Sequence, residues 1–105
     1  MTRRVRVAAL GELPDGRGVR VELDGHRIAL FRMGDEVHAV ADRCSHAEAS
    51  LAEGEVYDGT VECPRHGAEF DIATGEALSL PATKPVAVYH ADVSGGDVFL
   101  EVEAS

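Results

Sequence analysis

Four residues of this 105-residue chain have the types and spacing to hold a metal centre. Cys44 and His46 form a C-x-H pair, Cys63 and His66 a C-x₂-H pair, and sixteen residues separate His46 from Cys63. Both cysteines of the chain fall in this pattern. Each pair offers one thiolate and one imidazole, and thiolate is the soft donor that suits iron and sulfide. The chemistry is therefore that of a four-ligand centre built from two loops, either an iron–sulfur cluster or a structural zinc. Common zinc-finger spacing groups Cys with Cys and His with His, whereas the two alternate here, which favours iron. Any one of the four could instead be a small buried thiol or a histidine satisfied in a turn. The fourfold pattern makes that coincidence a poor explanation. A single disulfide is the other use for two cysteines, and one lone bridge would be unusual in a secreted domain of this size.

The remaining histidines read differently. His26 follows a turn, His38 lies in an alternating strand and His90 ends one, so all three are expected to be structural or surface residues. Arg65, inside the second loop, must project near its tip, where it either meets a partner or stays solvated. No Ser-His-Asp order, phosphate-binding Gly-rich loop or dinucleotide fingerprint occurs, so the chain alone does not read as an enzyme.

The elements that must position the two pairs are short strands joined by tight turns, and the fold class expected is all-β. Val19–Leu23 alternates at period two, and His26–Phe31 follows across Asp24-Gly25, as a hairpin requires. Val98–Val102 returns from Val86–Tyr89 around Gly95-Gly96. These hairpins should form a base of antiparallel strands. Between them, Val37–Val40 runs toward Cys44, Glu55–Tyr57 turns at Asp58-Gly59 into Thr60–Cys63, and Phe70–Ile72 leaves the second loop. Only Glu48–Glu53 could make a helical turn, too short to stand alone. Pro81–Pro85 reads as a stiffened loop, because each proline fixes its own φ and restricts the residue before it.

Length allows one domain, residues 1–105, with one real core. No Trp is present and the aromatic fraction is 5%, so that core must rest on Val, Leu, Ile and Ala. No run approaches the roughly 20 apolar residues of a membrane span. Arg3-Arg4 near the start is followed by no apolar stretch or cleavage site, and the expected location is the cytoplasm. The net charge of −9 is uneven. Residues 1–32 carry seven Arg against Glu12, Asp15, Glu22 and Asp24, while residues 33–105 carry three basic against fifteen acidic groups. Nucleic acid is a poor partner for such a surface.

The run Cys44-Ser45-His46 followed by Cys63-Pro64-Arg65-His66-Gly67 resembles the Rieske family, whose mixed ligation places two His and two Cys on the two irons of a [2Fe–2S] cluster. The resemblance covers nearly the whole chain, most specifically residues 37–85. It implies a Rieske-like fold of antiparallel sheets, with a base domain and an inserted cluster-binding subdomain over about 37–85. It also implies one cluster per chain, Cys44 and Cys63 holding the inner iron and His46 and His66 the outer, solvent-facing one. Gly67 would let the backbone approach the cluster closely, and Pro81–Pro85 resembles the loop that covers it.

Within the family, the respiratory type adds a second Cys to each ligand loop and a membrane anchor, and oxygenase catalytic subunits add a domain with mononuclear iron. Neither fits. What remains resembles the ferredoxins of bacterial aromatic-ring-hydroxylating dioxygenase systems, monomeric electron carriers between a flavin-dependent reductase and an oxygenase. For an acidic carrier the expected partners present basic docking patches. The run from Cys63 to Asp71 is also similar to ferredoxins that accompany iron–sulfur cluster assembly, and a small subunit of a nitrite reductase-like system is a further possibility. High-potential respiratory members place a Ser and a Tyr hydroxyl near the cluster sulfurs. The matching positions here are Ala68 and Phe70, which implies a low-potential cluster.

Overall fold

A computed structural model describes residues 2–44, 49–65, 67–80 and 84–103. Two antiparallel sheets account for its strands. The larger is formed by β1 (Thr2–Ala9), β2 (Gly18–Leu23), β3 (His26–Met33), β4 (Glu36–Ala41), β8 (Val88–Ser94) and β9 (Asp97–Glu103), in the order β1-β9-β8-β4-β3-β2. The smaller is formed by β5 (Glu55–Tyr57), β6 (Thr60–Glu62) and β7 (Glu69–Asp71), in that order. All-β architecture with antiparallel sheets is thus the observed class.

Turn chemistry sets the hairpins. Asp24-Gly25, Asp58-Gly59 and Gly95-Gly96 each hold both residues at positive φ. That is the type I′ condition, whose twist matches the flanking strands, and it fixes β2 against β3, β5 against β6 and β8 against β9.

Two apolar clusters lie on opposite faces of β3. Ile28 and Leu30 pack with Ala39, Val98, Leu100 and Val102, whereas Ala29 and Phe31 pack with Val40, Leu51, Val61, Phe70 and Ile72 from the smaller sheet and its loops. A strand covered on both faces explains why Ile28–Phe31 is an unbroken apolar run and not an alternating one. Each large side chain so buried contributes about 1.5–3 kcal/mol. The second cluster joins the two sheets, and both cysteines belong to it.

Several elements differ from expectation. No strand was expected at Thr2–Ala9, yet β1 pairs with β9 from Thr2↔Glu103 to Ala9↔Asp97, with a bulge between Arg6 and Ala8. It is an edge strand carrying three arginines, charges of the kind that guard an exposed edge against further pairing. β8 starts at Val88, not Val86, because the Val86 N–H is committed to the Gly75 carbonyl at 2.8 Å. It then continues to Ser94, so His90 lies inside the strand and not at its end. The expected helical turn reduces to 3₁₀ residues Leu51–Glu53, and Glu48 lies outside the described residues. Among the described residues no helix is long and apolar enough to cross a membrane.

Candidate metal centre

Each cysteine opens a loop that leaves a strand. Cys44 lies three residues beyond β4 and Cys63 directly follows β6. The loops close alike: the Cys44 N–H donates to the Ala49 carbonyl at 3.1 Å, and the Cys63 N–H donates to the Ala68 carbonyl at 2.7 Å. Cys44 is 2% exposed and Cys63 1%, neither is in a disulfide, and they share one apolar cluster. Two thiols from different sheets therefore converge where water is largely excluded. His46 and His66 fall within the two loops by sequence and lie outside the described residues. Among the described residues, accordingly, no three His, Cys, Asp or Glu are gathered around one metal position.

The stems of the two loops are built differently. On the first, Leu51 N–H donates to the Asp42 carbonyl at 2.7 Å, and Asp42 N–H donates to Arg27 O in β3 at 2.9 Å, so the loop is tied to the larger sheet. On the second, the β6–β7 ladder from Thr60↔Asp71 to Glu62↔Glu69 forms the stem. Gly67 donates its N–H to Cys63 O at 3.0 Å from a φ of +74°, a conformation glycine adopts at little cost. Ala68 and Phe70 beside it have no exposure.

The segment leading to the proline loop is held against this second loop. Leu78 N–H donates to Glu69 O at 2.8 Å, and Glu69 N–H donates to Ser79 Oγ at 3.0 Å. Gly75 has a φ of +74°, and a Cβ there would stand 2.3 Å from Val86 O, so the two backbones touch as only glycine permits. Pro81, Ala82 and Thr83 lie outside the described residues, and Pro85 is exposed. Leu80, at 78% exposure, and Leu78, at 49%, put apolar surface beside the loop.

Charge is sorted between the sheets. Arg3 pairs with Asp24, Arg4 with Asp92 at 2.5 Å, Arg6 with Asp97 at 2.9 Å and Arg20 with Glu22 at 2.6 Å, so the early arginines are largely neutralised within the larger sheet. The Arg4 hydrogen bond holds Asp92 below the ordinary carboxylate range. The smaller sheet keeps its acids. The Tyr57 phenol donates to Glu69, and that bond, with burial and the nearby carboxylates, pushes its pKa up to about 12. The histidines not expected to be ligands sit apart: His26 Nδ1 lies 3.0 Å from Tyr89 Oη, His38 is half-buried opposite Phe31, and His90 is exposed opposite Glu101. Arg65 is exposed in the second loop.

Comparison with known proteins decides what kind of centre this is. The model of the Rieske [2Fe-2S] domain matches residues 3–90. The chain belongs to the Rieske [2Fe–2S] family. A [2Fe–2S] cluster is accordingly its cofactor. The chain is 44% identical over 100 residues to the 3-phenylpropionate/cinnamic acid dioxygenase ferredoxin subunit of Shigella flexneri serotype 5b (strain 8401), covering 94% of this chain and 93% of the other. It also superposes on the ferredoxin of carbazole 1,9a-dioxygenase from Nocardioides aromaticivorans IC177 with a TM-score of 0.90 at 37% identity, covering 92% and 95% of the two chains. A structure of reduced oxygenase with oxidised ferredoxin in carbazole 1,9a-dioxygenase matches with a TM-score of 0.87 at 36% identity, covering 92% of this chain and 91% of the matched one.

The residues present fit a Rieske cluster. Two thiols buried in one apolar cluster, each beside backbone that has closed its own loop, form a soft donor pair suited to iron and sulfide.

Proposed function

We propose that this protein is a one-electron carrier that takes electrons from a flavin-dependent reductase and delivers them to an oxygenase. Cys44 and Cys63 hold one iron of its [2Fe–2S] cluster and His46 and His66 the other. The observation that carries this reading is the pair of buried cysteines at the heads of two identically closed loops. When bound, the cluster supplies a reversible one-electron couple. The chain's own part is to exclude water from the thiolates and to present the outer end of the two loops to a partner. Its cluster-bearing subdomain spans about residues 37–85, within a single domain of residues 1–105.

The acidic face of the smaller sheet and the exposed Leu78 and Leu80 beside it suit a partner with basic groups around an apolar patch. Names of relatives support the oxygenase side: the dioxygenase ferredoxin subunit matches over 94% of this chain, and a related ferredoxin has been captured with its oxygenase. The protein itself is an electron-transfer component, not a catalytic subunit, and it works as a monomer in the cytoplasm.

The purified protein is expected to be coloured, to contain two irons and two acid-labile sulfides, and to show a rhombic low-temperature resonance when reduced. Cys63→Ser should cripple cluster binding, because a serine oxygen is a harder and poorer donor. His38→Ala should leave it intact. A colourless zinc protein would end the proposal.

A further inference from the structure

Asp42 is the only charged or polar residue among the described ones that is fully buried, at 0% exposure. It sits two positions before Cys44. Its Oδ1 accepts from Ser50 Oγ at 2.7 Å and from the Ala52 N–H at 3.0 Å, on the returning arm of the first loop. Its Oδ2 has no hydrogen-bond partner among the described residues, and two guanidinium groups stand off from it: Arg20 Nε and Arg27 Nη2, each at 3.8 Å. Ordinary packing would be met by an apolar side chain, and the two donors would be met by the neutral amide of asparagine. What aspartate adds is charge, and a buried charge is costly to keep.

We infer that Asp42 is a positioning residue for the first cluster loop, and that its charge, set against Arg20 and Arg27, helps hold the reduction potential low. This rests on the reading of Cys44 as a ligand. The positioning half follows from geometry, since one carboxylate oxygen grips both Ser50 and Ala52 while its backbone grips Leu51 and β3. The electrostatic half follows from where each charge sits. Reduction adds one negative charge to the cluster. The carboxylate lies in the low-dielectric interior, where its repulsion is strong. Its two counter-charges have side chains 44% and 43% exposed, where water screens them. At the cluster the group therefore acts as a net negative charge.

Three variants separate the parts. Asp42→Asn keeps an acceptor for Ser50 and Ala52 and removes the charge. It should retain the cluster and shift the reduction equilibrium toward the reduced form by roughly three- to tenfold, tenfold being about 59 mV for one electron. Arg27→Gln, a surface change, should shift it the opposite way by less, and the shift should shrink as salt is added. Asp42→Ala, which also removes the acceptor, should lose iron to a chelator several times faster than Asp42→Asn.

The measurements are spectroscopic redox titration at low ionic strength and the rate of visible bleaching by chelator. If Asp42→Asn does not fold, the sign of the Arg27→Gln shift still decides. Shifts of the same sign in both variants, or an unmoved potential in Asp42→Asn, overturn the electrostatic inference while a loaded wild-type protein leaves the cluster reading standing. Equal chelator rates in the two Asp42 variants overturn the positioning half. A wild-type protein without iron and sulfide overturns the ligand reading and the inference with it.

Discussion

Glu62 and Glu69 stand directly opposite each other in the β6–β7 ladder, at the two ends of the loop that begins with Cys63, and the hydroxyl of Tyr57 lies against both. Like charges in register destabilise a sheet. A third glutamate, Glu55, completes the row opposite Glu62 on β5. One phenol proton donated into this row is what makes it tolerable, and it is the reason the phenol resists ionisation.

Tyr57→Phe should therefore lower the melting temperature at neutral pH and low salt, with the deficit shrinking as salt screens the row. The pH dependence has a definite sign. The folded pKa of Tyr57 is raised to about 12, so the phenol's stabilising share is complete below the unfolded tyrosine value of about 10 and is lost as the pH rises toward 12. Thermal melts of the two proteins should differ at pH near 8 and converge in strong alkali. Equal stability at neutral pH would show that the glutamate row is relieved in some other way.

A second prediction concerns the absent hydroxyls. Hydrogen bonds to cluster sulfurs favour the more negative, reduced state, so donors raise the potential and their lack lowers it. Ala68 and Phe70 are both fully buried, one within the second loop and one just after it. The wild-type potential should lie near the low end of the Rieske range, roughly −150 mV. If each added hydroxyl favours the reduced state by about 1.4 kcal/mol, roughly 59 mV for one electron, Ala68→Ser with Phe70→Tyr should raise the potential by on the order of 100 mV. Voltammetry checks both values. A wild-type potential well above zero, or a double variant that does not move, would assign control to another feature.

Docking provides the third. The core of an oxidised cluster and its two thiolates cancel formally, so the carrier stays acidic in both redox states. Electron transfer to a basic partner should slow as salt rises, because steering weakens. Stopped-flow rates against ionic strength test this, and a flat profile would count against charge-led docking.

Much of this fold was legible because turn chemistry is local. Asp24-Gly25, Asp58-Gly59 and Gly95-Gly96 announce their hairpins through residues that accept positive φ, and all three form. β1 was hidden for the opposite reason. Thr2–Ala9 owes its state to pairing with β9 at the far end of the chain, and its edge position lets arginine occupy sites that pattern reading expects to be apolar. The start of β8 is hidden likewise, since only the contact with Gly75 removes Val86 from the ladder. At the site, the spacing singles out the two cysteines, and the structure buries both in one apolar cluster, while His46 and His66 lie outside the described residues. Asp42 could not. A lone aspartate before a cysteine looks like any solvated acid, and its burial depends on Ser50, Ala52 and two arginines brought in by β2 and β3.

The loops that carry Cys44 and Cys63 hang from different sheets, and this has a consequence for the life of the polypeptide. A group that grips both is a cross-link across nineteen positions of sequence. If the cluster is held by both cysteines, it contributes about 3 kcal/mol against unfolding, by analogy with a disulfide closing a loop of that size. The smaller sheet needs that help, for its three strands have three residues each. Protein loaded with iron and sulfide is then expected to outlast the empty chain in a timed protease digest, so that loading sets how long the polypeptide survives as well as whether it carries electrons.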